Sequence, residues 1–206
     1  MSSAEAVADA PPRLPPLPPG RVGGFVPQHY RSAPLLAMLR DRLDAWSLIL
    51  VFGLIYFVSQ AIIGVIVSPL GADMLVVQTT LSADHVREIF ARWTAAGLLD
   101  TYASHYRFDN VHPLWYAMFL ATALAKGFNA NRVPPRFNAL LALPFVAAAC
   151  DLTENLFHLS YLADQANITP AHVLMSNGAA IVKWVLALGC VLGAGGLAVR
   201  SKFARG

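Results

Sequence analysis

From Trp46 to Leu70 the chain reads WSLILVFGLIYFVSQAIIGVIVSPL, without one charged side chain. A hydrocarbon core of about 30 Å is crossed by roughly 20 helical residues, so this run is long enough to span a bilayer. A helix apolar on every face has no place on the surface of a small soluble domain. Three further runs follow, over about 110–128, 138–163 and 171–199. The sequence therefore predicts an all-α integral membrane protein, a four-helix bundle. Composition agrees, because 13% of the 206 residues are charged and 56% hydrophobic, against about 25% charged in an ordinary soluble domain.

The connecting segments differ in kind. Residues 1–34 are rich in Ala, Pro and Arg and are expected to form a disordered tail. Within it, Arg13-Leu-Pro-Pro-Leu-Pro-Pro19 has the character of a polyproline II segment. Leu35 to Asp44 is expected to be a short interfacial helix or an extension of the first span. Between spans one and two lies the longest connection, about 71–108. There Ser82 suits an N-cap and Gly97 the residue just past a helix end. Val86, Ile89, Phe90 and Trp93 follow the i, i+3, i+4, i+7 spacing of one helix face, with Asp84, Arg87, Glu88 and Arg92 opposite. An amphipathic helix in this loop is expected, lying on the membrane or over the mouth of the bundle.

Orientation follows from Lys and Arg, which accumulate in cytoplasmic loops. Arg13, Arg21, Arg31, Arg40 and Arg42 precede span one, and Lys126, Arg132 and Arg136 lie beside the loop after span two. Arg200, Lys202 and Arg205 end the chain, in an expected basic tail over 200–206. Of the 15 basic residues only Arg87, Arg92, Arg107 and Lys183 fall elsewhere. Both termini are thus expected in the cytoplasm, with the protein in the cell inner membrane. The positive net charge of +3 belongs to topology and not to a nucleic-acid partner.

Against this apolar background, span three carries Asp151, Glu154, Asn155 and His158 at i, i+3, i+4 and i+7, a single polar stripe. An ionisable group at membrane depth costs at least about 2.5 kcal/mol on insertion scales, so the stripe needs partners. With both termini inside, Lys183 in span four falls at about the depth of Asp151, and an ion pair is expected there. Glu154 and His158, one turn apart, are expected to share a proton or hydrogen bond. Asp109 and His112 are expected to face them, with Tyr116 one to two turns deeper and Ser176 and Asn177 at the same level. Gln60 alone interrupts span one, and it is placed to hydrogen-bond to another helix.

Carboxylates beside imidazoles in a dry site are suited to acid/base work. Asp151, Glu154, His158 and His112 are therefore the candidate catalytic groups, and Asp109, Tyr116, Asn155, Asn177 and Lys183 the candidate ligand-binding ones. A metal is not expected. Asp151, Glu154, His158 and His112 are of the right types, but E-x-x-H, H-E-x-x-H and paired C-x-x-C are all missing. No cofactor is expected either, since Walker and dinucleotide fingerprints are absent. Three functions remain open: a pocket that binds or transforms a lipid-like small molecule, an accessory subunit whose polar residues only specify helix packing, and proton or ion transport. The sequence also leaves open a homo-oligomer or a larger membrane complex.

Tyr106-x-x-Asp109, then Pro113-x-x-Tyr116, then Asp151-x-x-Glu154-Asn155 resembles a pattern found in small four-span membrane proteins of bacteria. That resemblance implies the fold and little chemistry. The chain is also similar, more faintly, to the four-helix fold of the emopamil-binding protein and sigma-2 receptor, which hold sterols and hydrophobic amines in an intramembrane pocket lined by carboxylates. Span count, intramembrane carboxylates and an Asn in the last span agree. The spacings differ, so no catalytic residue is carried over.

Overall fold

The computed structural model describes residues 33–203, and among them all regular structure is helical. The expected disordered tail and its proline-rich segment lie outside the described residues, except that Ala33 already begins α1 (Ala33–Leu43). Ala45 is extended, so α1 is a separate helix and not an extension of the first span. The long helices follow as α2 (Trp46–Val67), α6 (His112–Ala130), α7 (Leu143–Ala163) and α8 (Pro170–Phe203). A 3-10 turn at Ser68–Leu70 closes the first run at Pro69, and a 3-10 segment over Pro135–Ala142 leads into α7.

Residue placement is the reverse of a soluble protein's. Leu54, Phe57, Val65, Leu156, Val185 and Leu192 are all exposed, while Asp151, Glu154, His158, Asn177 and Lys183 are buried. Only an apolar solvent makes that arrangement favourable. Three stretches are long and apolar enough to cross a membrane: Trp46–Leu70, Pro135–Ala163 and Pro170–Phe203. The remaining expected span, α6, has 19 residues but falls short in apolarity, with His112, Lys126 and Asn129 in its sequence. Packing explains the shortfall. α6 lies against α2, α7 and α8, and Ala117, Ala121 and Ala125 on it are wholly buried. Its surroundings are protein, so it has no need of a lipid-like surface. Gly127 serves the same close packing, since a Cβ there would meet the Leu197 side chain at 2.9 Å.

Contacts between helix ends show that the four long helices alternate in direction. At one end, Arg40 of α1 donates to Asn129 at the end of α6 and to Val133 O and Asn138 Oδ1 ahead of α7. Asn131 donates to Leu197 O near the end of α8. Lys126 pairs with Asp44 at 2.9 Å just before α2. Most of the described basic residues gather at this end. α8 is 34 residues long, about 50 Å at 1.5 Å per residue. Arg200 and Lys202, expected in a tail, are instead part of its last turn.

The opposite end is closed by a cap of three helices, where one had been expected: α3 (Asp73–Thr79), α4 (Ala83–Ala95) and α5 (Leu99–Asp109). α4 has the anticipated boundaries. The Ser82 hydroxyl accepts from His85 N, and Gly97 takes a φ of +70° after its end. Val86, Ile89, Phe90 and Trp93 are all buried, packed with Tyr102, Tyr106, Tyr161, Ile168 and Val173. The cap is thus seated on the α7–α8 hairpin and does not lie free on a surface. Arg87 strengthens the seat by donating to Ile168 O at 2.6 Å. Thr169 accepts from His172 N and starts α8, with Pro170 at its first position.

Two apolar clusters result. One fills the cap, and the other joins Leu43, Ala117 to Phe128, Ala147, Ala148 and Cys190 in the body of the bundle. The register of α7 and α8 places the polar residues between them. On α7, Ala148 belongs to the body cluster and Tyr161 to the cap cluster, with Asp151 to His158 between; on α8, Val173 and Cys190 bracket Asn177 and Lys183.

A candidate functional site in the polar belt

Lys183 is the centre of the belt. Its ammonium donates to Asp151 Oδ1 at 2.9 Å and to Glu154 Oε2 at 2.6 Å, and all three side chains are under a tenth exposed. Asp151 and Glu154 are one turn apart on α7, so both reach the same point on α8. The expected Lys183–Asp151 pair is therefore present, but Glu154 completes a triad. This corrects the expectation that Glu154 bonds His158. The ammonium of Lys183 offers Glu154 a full opposite charge, which a neutral imidazole one turn away cannot match. Two carboxyls share one cation, so the triad carries a charge of −1 unless a proton joins it.

His158 belongs to a second network, and the direction of its hydrogen bonds can be read from where the network ends. Asn177 Nδ2 donates to Val77 O at 2.7 Å and Thr80 O at 2.6 Å, carbonyls that can only accept. That leaves Asn177 Oδ1 to accept from His158 Nε2, at 3.5 Å. His158 Nδ1 then accepts from the Tyr102 hydroxyl, which itself accepts from Tyr106 at 2.8 Å. The tautomer of His158 is fixed by this order, with its proton on Nε2. The chain ties α5 through α7 and α8 to the α3–α4 junction.

His112 does not meet Asp109. Asp109 ends α5 and His112 begins α6, so the turn at Asn110–Val111 sets them on different helices, and His112 does not face Glu154 and His158 as expected but bonds toward α2. The Ser59 hydroxyl donates to Tyr56 O at 2.9 Å and accepts from His112 Nδ1 at 2.7 Å. Asp109 Oδ2 lies 4.0 Å from His105 Nε2, one turn back on α5. Burial raises its carboxyl to about 6, and the negative charge of Asp151 acts in the same direction. Burial lowers His105 to about 4, so its imidazole is neutral at pH 7, with Nδ1 donating to Tyr102 O. Asn155 joins α7 to the α5–α6 turn by donating to Asp109 O and Asn110 Oδ1, both at 3.3 Å.

Tyr116 is buried with its hydroxyl near Asp151 but without a hydrogen bond of good geometry. The hydroxyls of Tyr161 and Ser176, close to one another, are in the same state. Among the described residues no three His, Cys, Asp or Glu side chains converge as a metal ion needs. Between Asp151 and Glu154 the place a cation would take is filled by Lys183. A groove of about 330 Å³ opens on the outer side of α7 and α8, lined by Thr153, Leu156, Phe157, Ser160, Asn167 and His172. None of the triad lines it.

The structure thus brings Asp151, Glu154 and Lys183 together, sets Asp109 and Tyr116 around them, and assigns His158 with Asn177 and His112 with Ser59 to neighbouring bonds. Sequence reasoning missed Tyr102, His105 and Ser59. The first two had a signal, because Tyr102, His105 and Tyr106 repeat at i, i+3, i+4 on one face of α5. Comparisons with known protein families, with curated proteins and with solved structures found no match to this chain.

Proposed function

We propose that the chain is an integral membrane protein that binds a lipid-like small molecule at the polar belt and transforms it by acid/base chemistry. The observation that carries this reading is the triad: three ionisable groups buried in the middle of apolar helices, with carboxyls in excess of cations. Helix packing alone is achieved with Asn, Ser and small residues at much lower insertion cost. In this reading Glu154 and Asp151 are the acid/base pair, and Lys183 holds the charge between them. His158 and His112 tune the pair from their own hydrogen bonds, while Asp109, Tyr116, Asn155 and Asn177 shape the ligand end of the belt.

α6 is taken as the fourth span, since it runs the length of the bundle from the Ser59–His112 bond to the Asn131–Leu197 bond. The basic end, where α1 lies and α8 ends, is taken as cytoplasmic, and with it the cap and the belt are assigned to the outer side of the cell inner membrane. The four-span resemblance of the sequence fits this arrangement.

A second reading has its own support. His158, Asn155, Asn177 and His112 are all engaged by partners within the protein, as an accessory subunit using polar groups for packing would require. Glu154→Gln separates the two. The amide keeps the shape and an oxygen for Lys183 but cannot cycle a proton. Its melting temperature in detergent is expected to stay within a few degrees of wild type, while a co-purifying amphiphile seen by mass spectrometry changes in amount or chemical state. An unchanged small-molecule profile would favour the packing reading.

A further inference from the structure

Gln60 stands near the middle of α2, the most apolar of the spans, and its side chain is exposed. Among the described residues it has no hydrogen-bond partner, so the expected bond to another helix is not made within them. The helix of which it is part turns Gly53, Ser59 and Ile63 inward, and Gln60 lies at the edge of that face, with its side chain exposed. A primary amide left in hydrocarbon without a partner is costly, because lipid offers neither donor nor acceptor.

One turn further along the same face is Gly64, also exposed. A Cβ built there would meet nothing within 4 Å. No contact inside the chain requires a glycine, and glycine in mid-helix is less favourable than alanine. Ser68, a turn beyond, completes a row at i, i+4, i+8 in which a small residue twice follows the amide. Gly64 and Ser68 have the small-xxx-small spacing that lets two helix backbones approach closely in a membrane. The amide and the glycine are independent observations, and both lack a purpose within one copy.

We propose that this row of α2 packs against the same row of a second copy, giving a dimer with its two-fold axis along the membrane normal. Identity of the partner follows from symmetry and chemistry. All copies insert with the same orientation, so two α2 helices meet in parallel and Gln60 lies at the same depth as its counterpart. A primary amide carries both a donor and an acceptor, so two of them satisfy each other. An isologous contact of this kind closes on itself and adds no further copies. Gly64 marks the closest approach, with Gln60 about 6 Å away along the axis, within reach of its long side chain. The proposal is independent of the chemistry assigned to the belt.

Two experiments on the full chain in mild detergent and in liposomes test it. Light scattering and dilution measurements should show a dimer whose dissociation constant rises about three- to twentyfold in Gln60→Leu, the range measured for single interhelical hydrogen bonds in membranes. Gln60→Asn should recover part of it, and Gly64→Leu should abolish the dimer while the melting profile of the monomer is kept. Because a substitution can act through folding, cysteine cross-linking provides a second readout in a Cys150→Ser, Cys190→Ser background. Ala61→Cys should form an inter-copy disulfide, and Val185→Cys on the exposed face of α8 should not. A monomer under all conditions would overturn the proposal. So would a dimer insensitive to both Gln60→Leu and Gly64→Leu, cross-linking through α8 instead, or a different protein held at α2.

Discussion

Lys183→Met should lower the stability of the protein by about 3–5 kcal/mol, the usual cost of removing one partner from a buried ion pair. The substitution keeps the volume and apolar stem of the side chain, so packing against α7 changes little. What it removes is the only cation within hydrogen-bond distance of Asp151 and Glu154 among the described residues, both of which are buried. Two carboxyls would then face each other one turn apart with no ammonium between them. Thermal unfolding in detergent, followed by intrinsic fluorescence, would measure the loss. Changing all three residues together, Lys183→Met with Asp151→Leu and Glu154→Leu, should restore stability to the wild-type level or above it, because no buried charge is left unpaired. A loss in the triple variant equal to that in Lys183→Met would show that the effect is one of shape and not of charge.

Phe90→Ala should cost a similar amount, about 3–5 kcal/mol, the range for deleting a large buried aromatic side chain. Phe90 is fully buried, with ring centroids 5.7 Å from Trp93, 5.8 Å from Tyr102 and 6.2 Å from Tyr161. It is therefore shared by α4, α5 and α7 and holds the cap to the hairpin. The consequence should be local first. Amide hydrogen exchange is expected to rise over 73–109 before the long helices lose protection, since they are held by the body cluster. Uniform loss of protection across all helices would show that cap and bundle unfold as one unit.

How much of this could be read from the sequence depended on the distance over which the signal acts. The first, third and fourth long runs were legible because hydrocarbon length and apolarity are local properties, and α4 was legible because Ser82, Gly97 and the i, i+3, i+4 spacing of its apolar residues lie within one helix. α3 has only seven residues, too few to show a period. α5 reads as a mixture of polar and aromatic residues; the spacing of Tyr102, His105 and Tyr106 puts them on one face, and the tertiary contact shows that this face is the buried one. α6 was judged as though lipid surrounded it, whereas its neighbours are helices.

Within the belt, the meeting of Lys183 with Asp151 followed from depth alone. The destination of Glu154 and His158 did not, because a helix allows an i, i+4 bond without deciding between it and a partner on another helix. The crossing of α7 with α8 makes that decision, as does the position of Tyr102 on the cap. Likewise the turn between Asp109 and His112 sends to different partners two residues that spacing alone would aim at the same place. Gln60 was marked as a hydrogen-bonding residue from its type, and the structure adds that its side chain is exposed and has no partner among the described residues.

The triple variant provides the sharpest test of the belt as a working site, because it is expected to fold without any of the three charges. Mass spectrometry of small molecules bound to purified wild type and to the Lys183→Met, Asp151→Leu, Glu154→Leu protein would compare them directly. The account predicts an amphiphile enriched over bulk lipid in the wild type and lost from a triple variant of equal or higher melting temperature. The same bound molecules in both proteins, in equal amounts, would contradict it.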